Sequence, residues 1–363
     1  MTLHIFNPEH DHALAANLPN FTPPHAARQL RSELSFLPAL WAETGDIVVV
    51  DDVEAACDAY RKLKLEHRPE VIFTTPDTLF RYASDLKTAT VEPWGWDITV
   101  RNALFRAGVP CQSMPTDVEI DTIRRLSNRS LAVRLLEQLS AHHCVTGHSV
   151  VCSTYGEVVS FLHSNRNIVV KAPWSCSGRG VRYIDVDTVN RNALQWVDNT
   201  IRRQGTVVAE IKCPKVRDFA VEFMSSADGV RAVGLSLFTT VNGAYTGNML
   251  ASEEDKRSIL AQYLPPEVLD SLVHEIETFL TDHIRGVYTG PLGVDMMIVA
   301  NGNAADDSAP FLVNPCVEIN LRRTMGHVAL ALSQHGHRGA MDIAYENKQY
   351  KVKLTTNNNY PYN

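Results

Sequence analysis

The stretch "CVEINLR" sets Glu318, Asn320 and Arg322 at every second residue. On a β-strand, positions i, i+2 and i+4 project from one face. The Cα atoms of Glu318 and Asn320 then stand roughly 6.5–7 Å apart, so two oxygen donors can share one Mg²⁺ or bridge two. Mg²⁺ takes hard oxygen ligands and keeps water and phosphate in its shell. A further carboxylate lies upstream, where "PLGVDMMIV" places Asp295 inside an apolar run. A buried carboxylate is costly unless a cation or hydrogen-bond donors meet it. The plain alternative is the polar face of an edge strand. Two consecutive strands carrying such residues favour the metal reading.

A second constellation is "VVKAPWSCSGRGV", residues 169–181. Val169 and Val170 read as buried strand, and Lys171 ends it facing a loop of small residues, Ser175, Ser177, Gly178 and Gly180. The glycines permit positive φ and close backbone approach, and N–H groups exposed there can cradle phosphate oxygens. A lysine beside them supplies a compact positive charge for the same anion. The bland reading is a strand end followed by a turn, and GxxxxGK[ST] is absent. A third stretch, "VVAEIKCPKVRDF", runs an apolar strand into Glu210, Ile211 and Lys212 and a short connector before Asp218. Such a segment can offer backbone groups to an adenine edge and a carboxylate to ribose hydroxyls.

These residues need strands to hold them. The first segment alternates strands at 3–6, 46–52 and 70–75 with helical patterns at 32–45, 54–66 and 93–111, which predicts a parallel α/β layer. It lacks GxGxxG after its first strand, so it is not a dinucleotide fingerprint. Residues 7–27 read as a loop at that strand's C-terminal end. His10, Asp11 and His12 are tempting metal ligands there, although alternating residues on an extended loop rarely complete a site. From 143 to 212 strands and helices alternate again. Two antiparallel strands then flank Ala227-Asp228-Gly229, and residues 266–284 put Val268, Leu272, Ile276, Phe279 and Leu280 on one helical stripe. The charge run 252–257 reads as solvated surface, 300–309 as a polar turn, and the tail 355–363 as frayed.

The chain has 363 residues, net charge −7 and seven scattered cysteines without a CxxC pair. No polybasic footprint points to nucleic acid, no apolar run is long enough to span a bilayer, and the start lacks a secretory pattern. Unpaired cysteines predict reduced thiols in a cytoplasmic protein rather than a zinc site.

The order strand-Lys, glycine-rich loop, strand-Glu connector, strand-Asp, strand-Glu-x-Asn-x-Arg resembles the ATP-grasp superfamily, over about residues 120–335. "GVDMMIV … VEINLR" is similar to the family's carboxylate pair and metal strand, and "VVKAPWSCSGRGV" to its lysine strand and lid loop. The resemblance implies an α/β class, α+β in the C-terminal part: an N-terminal α/β domain (1–118), an ATP-grasp domain (119–335) with a lid subdomain at about 143–212, and a C-terminal extension (336–363). It implies ATP and Mg²⁺ as cofactors. Arg129, with Arg134 as alternate, and Lys171 would hold phosphates under the loop Ser175–Gly180. Glu210, Ile211 and Lys212 would line adenine, and Asp218 would meet ribose. Asp295, Glu318 and Asn320 would bind Mg²⁺, with Arg322 at the transferred phosphoryl group. The implied activity is ligation of a small-molecule or peptide carboxylate to an amine through an acyl phosphate. A kinase on the same fold and a non-catalytic nucleotide-binding module stay open, as does the oligomeric state, a homodimer included.

Overall fold

The computed structural model describes residues 1–175, 180–241, 243–302 and 309–356. Among them the strands form three sheets. The first is built from β1 (Thr2–Ile5), α1 (His10–Ala16), α2 (His25–Glu33), β2 (Ile47–Val49), α3 (Val53–Lys62), β3 (Ile72–Thr74), β4 (Thr90–Pro93) and α4 (Ile98–Arg106). All its pairings are parallel, in the order β3-β2-β1-β4. Side-chain caps fix two of the helix starts: Asp52 accepts from Ala55 N and Asp97 from Val100 N.

Two expectations for this segment need correction. Residues 7–27 are not all loop, because Ala-rich 10–16 folds as α1. The helix expected at 32–45 lies earlier, as α2. Only a short 3₁₀ turn, Leu37–Leu40, follows it. Pro38 withholds a backbone donor there, and Gly45 closes the segment at φ +90°.

Next come α5 (Asp117–Leu126), α6 (Ser130–Leu139), β5 (Ser149–Cys152), α7 (Tyr155–Asn165), β6 (Asn167–Lys171), β7 (Val181–Asp185), α8 (Arg191–Gln204) and β8 (Val207–Ile211). The strands form a small antiparallel sheet, β5-β8-β6-β7. It has its own core, in which Val158, Leu162 and Val197 of the helices cover Ile168, Val170 and Ala209.

The remaining elements are β9 (Lys215–Ser226), β10 (Gly229–Val241), β11 (Ala244–Leu250), α9 (Glu253–Leu260), α10 (Pro266–Ile284), β12 (Gly290–Ala300), β13 (Phe311–Asn320), α11 (Met325–Gln334), β14 (Gly339–Glu346) and β15 (Gln349–Thr355). They form a large antiparallel sheet ordered β13-β12-β9-β10-β11-β14-β15. Helix α10 buries Leu272, Ile276, Phe279 and Leu280 in one core with Val221 and Phe223 of β9. Glu222, between those valine and phenylalanine positions, points to the opposite face, where it accepts from Thr324 just ahead of α11.

The charge run 252–257 is not wholly solvated. Lys256 is buried, donating to Leu235 O at 2.6 Å and pairing with Glu253. Of the expected polar turn, 303–308 lie outside the described residues, as do 357–363 of the expected frayed tail.

The first and last segments share a core. Phe6, Leu37, Val48 and Trp94 pack with Leu250, Val328, Leu332 and Met341. No helix among the described residues is long and apolar enough to cross a membrane.

Candidate functional site

The site forms where the small sheet leans on the edge of the large one. Strands β12 and β13 pair antiparallel with Asp295 directly opposite Glu318 and Gly293 opposite Asn320. Asp295 and Glu318 therefore share one face, and Asn320 joins them two residues on. The strand ends at Asn320, so Arg322 lies in the bend beyond it rather than on the strand as expected. Its guanidinium still folds back, with Nη2 donating to Asn320 Oδ1 at 2.9 Å.

The ladder is irregular between Asp295 and Met297 on β12, opposite the segment of β13 that carries Pro315. Proline suits an edge strand because it has no N–H to donate. The Val317 carbonyl, in this irregular segment, accepts from Lys171 Nζ at 3.2 Å.

Lys171 is the last residue of β6 and is buried. Its Nζ also pairs with Glu210 Oε1 on the neighbouring β8 at 2.7 Å. Arg129, immediately before α6 and equally buried, makes a parallel link. It donates to the Ala172 carbonyl, to Ser175 Oγ at 2.8 Å, and through Nη2 to Glu318 Oε1 at 2.6 Å. Two basic side chains thus bridge the small sheet and its loop to β13. Arg134, the alternate, is exposed on α6 and meets His283 of α10 instead. Ser175 and Gly180 abut at the loop's two ends, and a Cβ on Gly180 would collide with Ser175 Oγ. Ser177 and Gly178 lie outside the described residues, with Cys176 and Arg179.

The connector is shorter than expected. Glu210 and Ile211 end β8, Lys212 follows with its Nζ 5.9 Å from the Tyr183 ring centre, and Asp218 already stands inside β9. Asp218 accepts from Lys215 Nζ at 2.6 Å and Thr240 Oγ1 at 2.8 Å.

The electrostatics around Asp295 are unbalanced. Burial, and behind it the Glu318 charge, push its carboxyl up to about 7, while Arg322 and a hydrogen bond from Asn320 pull the other way. Two acids facing each other across a ladder with an amide beside them form a set of oxygen donors on one strand face. Among the described residues no group of three or more His, Cys, Asp and Glu could hold a metal. Two carboxylates plus an amide nevertheless suit Mg²⁺, which completes its shell with water and phosphate. The residues fit that ion.

Asp11 was not visible as part of this site. Arg322 donates to its Oδ2 from Nη2 at 3.0 Å and from Nε at 3.2 Å, joining α1 to the end of β13. Burial alone would raise the Asp11 carboxyl, but Arg322 and its neighbours hold it below the usual carboxylate range. Its neighbour His10 turns elsewhere, with Nδ1 3.0 Å from Asp97 Oδ2 and its ring against Gly95. His10, Asp11 and His12 therefore do not converge as a metal site. The signal available in sequence was the acidic residue in the first turn of an Ala-rich helix.

No protein-family model matches this sequence. No curated protein matches it either. Solved structures do resemble it. One is N5-carboxyaminoimidazole synthetase from Staphylococcus aureus complexed with ADP, at 12% identity and TM-score 0.50, covering 96% of this chain and 83% of that one. Two others are N5-carboxyaminoimidazole ribonucleotide synthetase from Thermus thermophilus, at 13% identity and TM-score 0.48 over 94% and 83%, and biotin carboxylase from Campylobacter jejuni, at 13% identity and TM-score 0.48 over 97% and 73%. The similarity to the Staphylococcus aureus structure, with the three-sheet arrangement, shows an ATP-grasp fold preceded by a pre-ATP-grasp-like α/β domain.

Proposed function

With the ATP-grasp fold as premise, we propose that this chain is an ATP- and Mg²⁺-dependent ligase that activates a carboxylate as an acyl phosphate for attack by an amine. The observation that carries the reading is the opposition of Asp295 and Glu318 beside Asn320, with Arg129, Lys171 and Arg322 converging on the same strand end. Residues 119–335 then form the ATP-grasp domain with its lid at about 143–212, after the 1–118 domain and before the 336–363 extension. The ADP held by the Staphylococcus aureus synthetase supports a nucleotide between the small and large sheets here.

Phosphoryl transfer needs position and charge neutralisation more than covalent help. Lys171 and Arg129 are buried, and each is matched by a carboxylate, Glu210 or Glu318. Phosphate oxygens arriving between the sheets exchange for those carboxylates. Arg322, anchored by Asp11 and Asn320, presents a fixed guanidinium to the transferred group. Asp295, Glu318 and Asn320 would hold Mg²⁺, whose contribution is to offset phosphate charge. The γ-phosphoryl passes to a carboxylate oxygen as the bond to ADP breaks, and the amine then displaces phosphate to leave an amide.

Calorimetry of ATP with and without Mg²⁺ tests the site, comparing the native chain with Glu318→Gln and Asn320→Ala. Mg²⁺-dependent binding lost in both variants is the expected result; unchanged binding in both would sink the assignment. Release of ADP and phosphate from mixtures of carboxylates and amines, with amide product by mass spectrometry, tests the reaction. A phosphorylated hydroxyl as product would make it a kinase instead.

A further inference from the structure

A cavity of about 240 Å³ lies inside the N-terminal unit, at the C-terminal ends of β1 and β2. Ligands of open α/β sheets bind at such strand ends. Its walls are largely apolar, including Phe6, Ala13, Val49, Leu79, Val100 and Leu104. An apolar cavity of roughly 150 Å³ already takes benzene, so this one admits a substituted ring. It is separate from the site above, although both adjoin α1: Glu9 and Ala13 line the cavity, whereas Asp11 meets Arg322.

The polar lining is acidic. Glu9, Asp51 and Asp97 stand against a single cation, Arg31. Asp97 is already engaged by Asn7, His10 and the start of α4. Glu9 is not fully engaged. It is 6% exposed, its Oε1 accepts from Arg31 at 2.8 Å, and its Oε2 has no hydrogen-bond partner among the described residues. A buried carboxylate oxygen left unpaired is costly. Burial raises the Glu9 carboxyl, Arg31 lowers it, and the Asp97 charge adds to the rise. One more cation on Glu9 relieves that imbalance.

We propose that this cavity binds a small primary amine with an aromatic or branched apolar body, its ammonium on Glu9 and its body among Phe6, Val49, Leu79 and Val100. The inference needs no nucleotide and stands apart from the proposed reaction.

Benzylamine is the probe, with benzyl alcohol as its neutral counterpart, in calorimetry and thermal unfolding of the full chain without ATP or Mg²⁺. A probe this small is expected to bind with roughly millimolar affinity. Benzylamine should bind one per chain, raise the melting temperature and exceed benzyl alcohol about tenfold in affinity. Glu9→Gln should bring the amine down to the alcohol, and Ala13→Leu, which grows into the cavity, should weaken both. Absence of saturable benzylamine binding, equal binding of amine and alcohol, or binding that survives Ala13→Leu in a chain with native circular dichroism would overturn the proposal.

Discussion

Asp11 and Arg322 lie 311 residues apart in the chain and meet with Nη2 3.0 Å from Oδ2. The adjacent Arg323 makes the same crossing, its guanidinium over Trp41 and 3.3 Å from Glu92. The first α/β unit is therefore fastened to the strand end carrying the oxygen donors by two consecutive arginines.

Asp11→Ala should destabilise the chain by about 2–3 kcal/mol. Removing one partner of a buried pair leaves the other charge uncompensated, and the partial exposure of both side chains, 15% and 16%, keeps the cost toward the low end. The folded-state carboxyl titrates below its unfolded value near 3.9. Its contribution is thus present above about pH 4 and lost as pH falls through the lower folded value. Denaturant midpoints against pH should show a flatter acid limb for Asp11→Asn; an unchanged limb would remove the pair from the stability account.

Glu222 carries the opposite sign. It is fully buried between β9 and α11, and burial pushes its carboxyl up to about 8. Such a group supports folding below its unfolded value near 4.3, and that support drains away as pH rises toward 8. His327 beside it is pushed down to about 3 by burial and is neutral in the folded chain, while its unfolded imidazole loses its charge from about pH 6.5 upward in the native chain and in Glu222→Gln alike, so that contribution drops out of their difference. The window to compare is therefore pH 6.5–8. Over it the native chain should lose about 1–2 kcal/mol that Glu222→Gln does not lose, at up to about 1.4 kcal/mol per pH unit. Parallel urea titrations at the two ends decide it.

Gly326→Ala should cost about 1–3 kcal/mol through overpacking. A Cβ there would collide with Glu222 Oε1 and stand 2.6 Å from Ser236 Oγ. Glu222 is held by Thr324 and His327 and has nowhere to swing. A melting temperature equal to that of the native chain would mean that α11 can shift freely on the sheet.

Lys171→Met should weaken Mg²⁺-ATP binding by roughly tenfold or more, since a charge-assisted contact is worth about 1.5–3 kcal/mol and about 1.4 kcal/mol is tenfold. If calorimetry returns equal affinity, Lys171 serves only to tie β6 to Glu210 and Val317.

The sequence carried the strand types and the placement of two acids and an amide on neighbouring strands, because period-2 patterns and a carboxylate in an apolar run are local signals. Asp295, Glu318 and Asn320 were legible for that reason, and so was the long helix α10. Local reading failed where partners come from afar. Asp11 reads as one polar residue among histidines until α1 brings it to Arg322. Arg129 and Arg134 sit on the same helical pattern, and only tertiary packing sends one to Glu318 and the other to His283. The expected linkage of Glu210 and Asp218 through a connector shortened because β9 begins at Lys215. Strand β15 sets Tyr350, Val352 and Leu354 in alternation with polar residues, a pattern as local as those of the other strands. Strand β11, "AYTGNML", gave little signal because Gly247 interrupts it where Asp342 of β14 approaches.

The shared core of Phe6, Leu37, Val48 and Trp94 with Val328, Leu332 and Met341 bears on how the chain is made. The ribosome delivers the first α/β unit early, but part of the apolar cover for one of its surfaces, on α11 and β14, is translated much later. Until residue 341 emerges, that surface stays wet, and the nascent chain carries an exposed apolar face through most of its synthesis. Completion of the unit is gated by translation of α11 and β14, so a stalled or shortened chain lacking them would offer chaperones and proteases an unsealed first domain rather than a finished one.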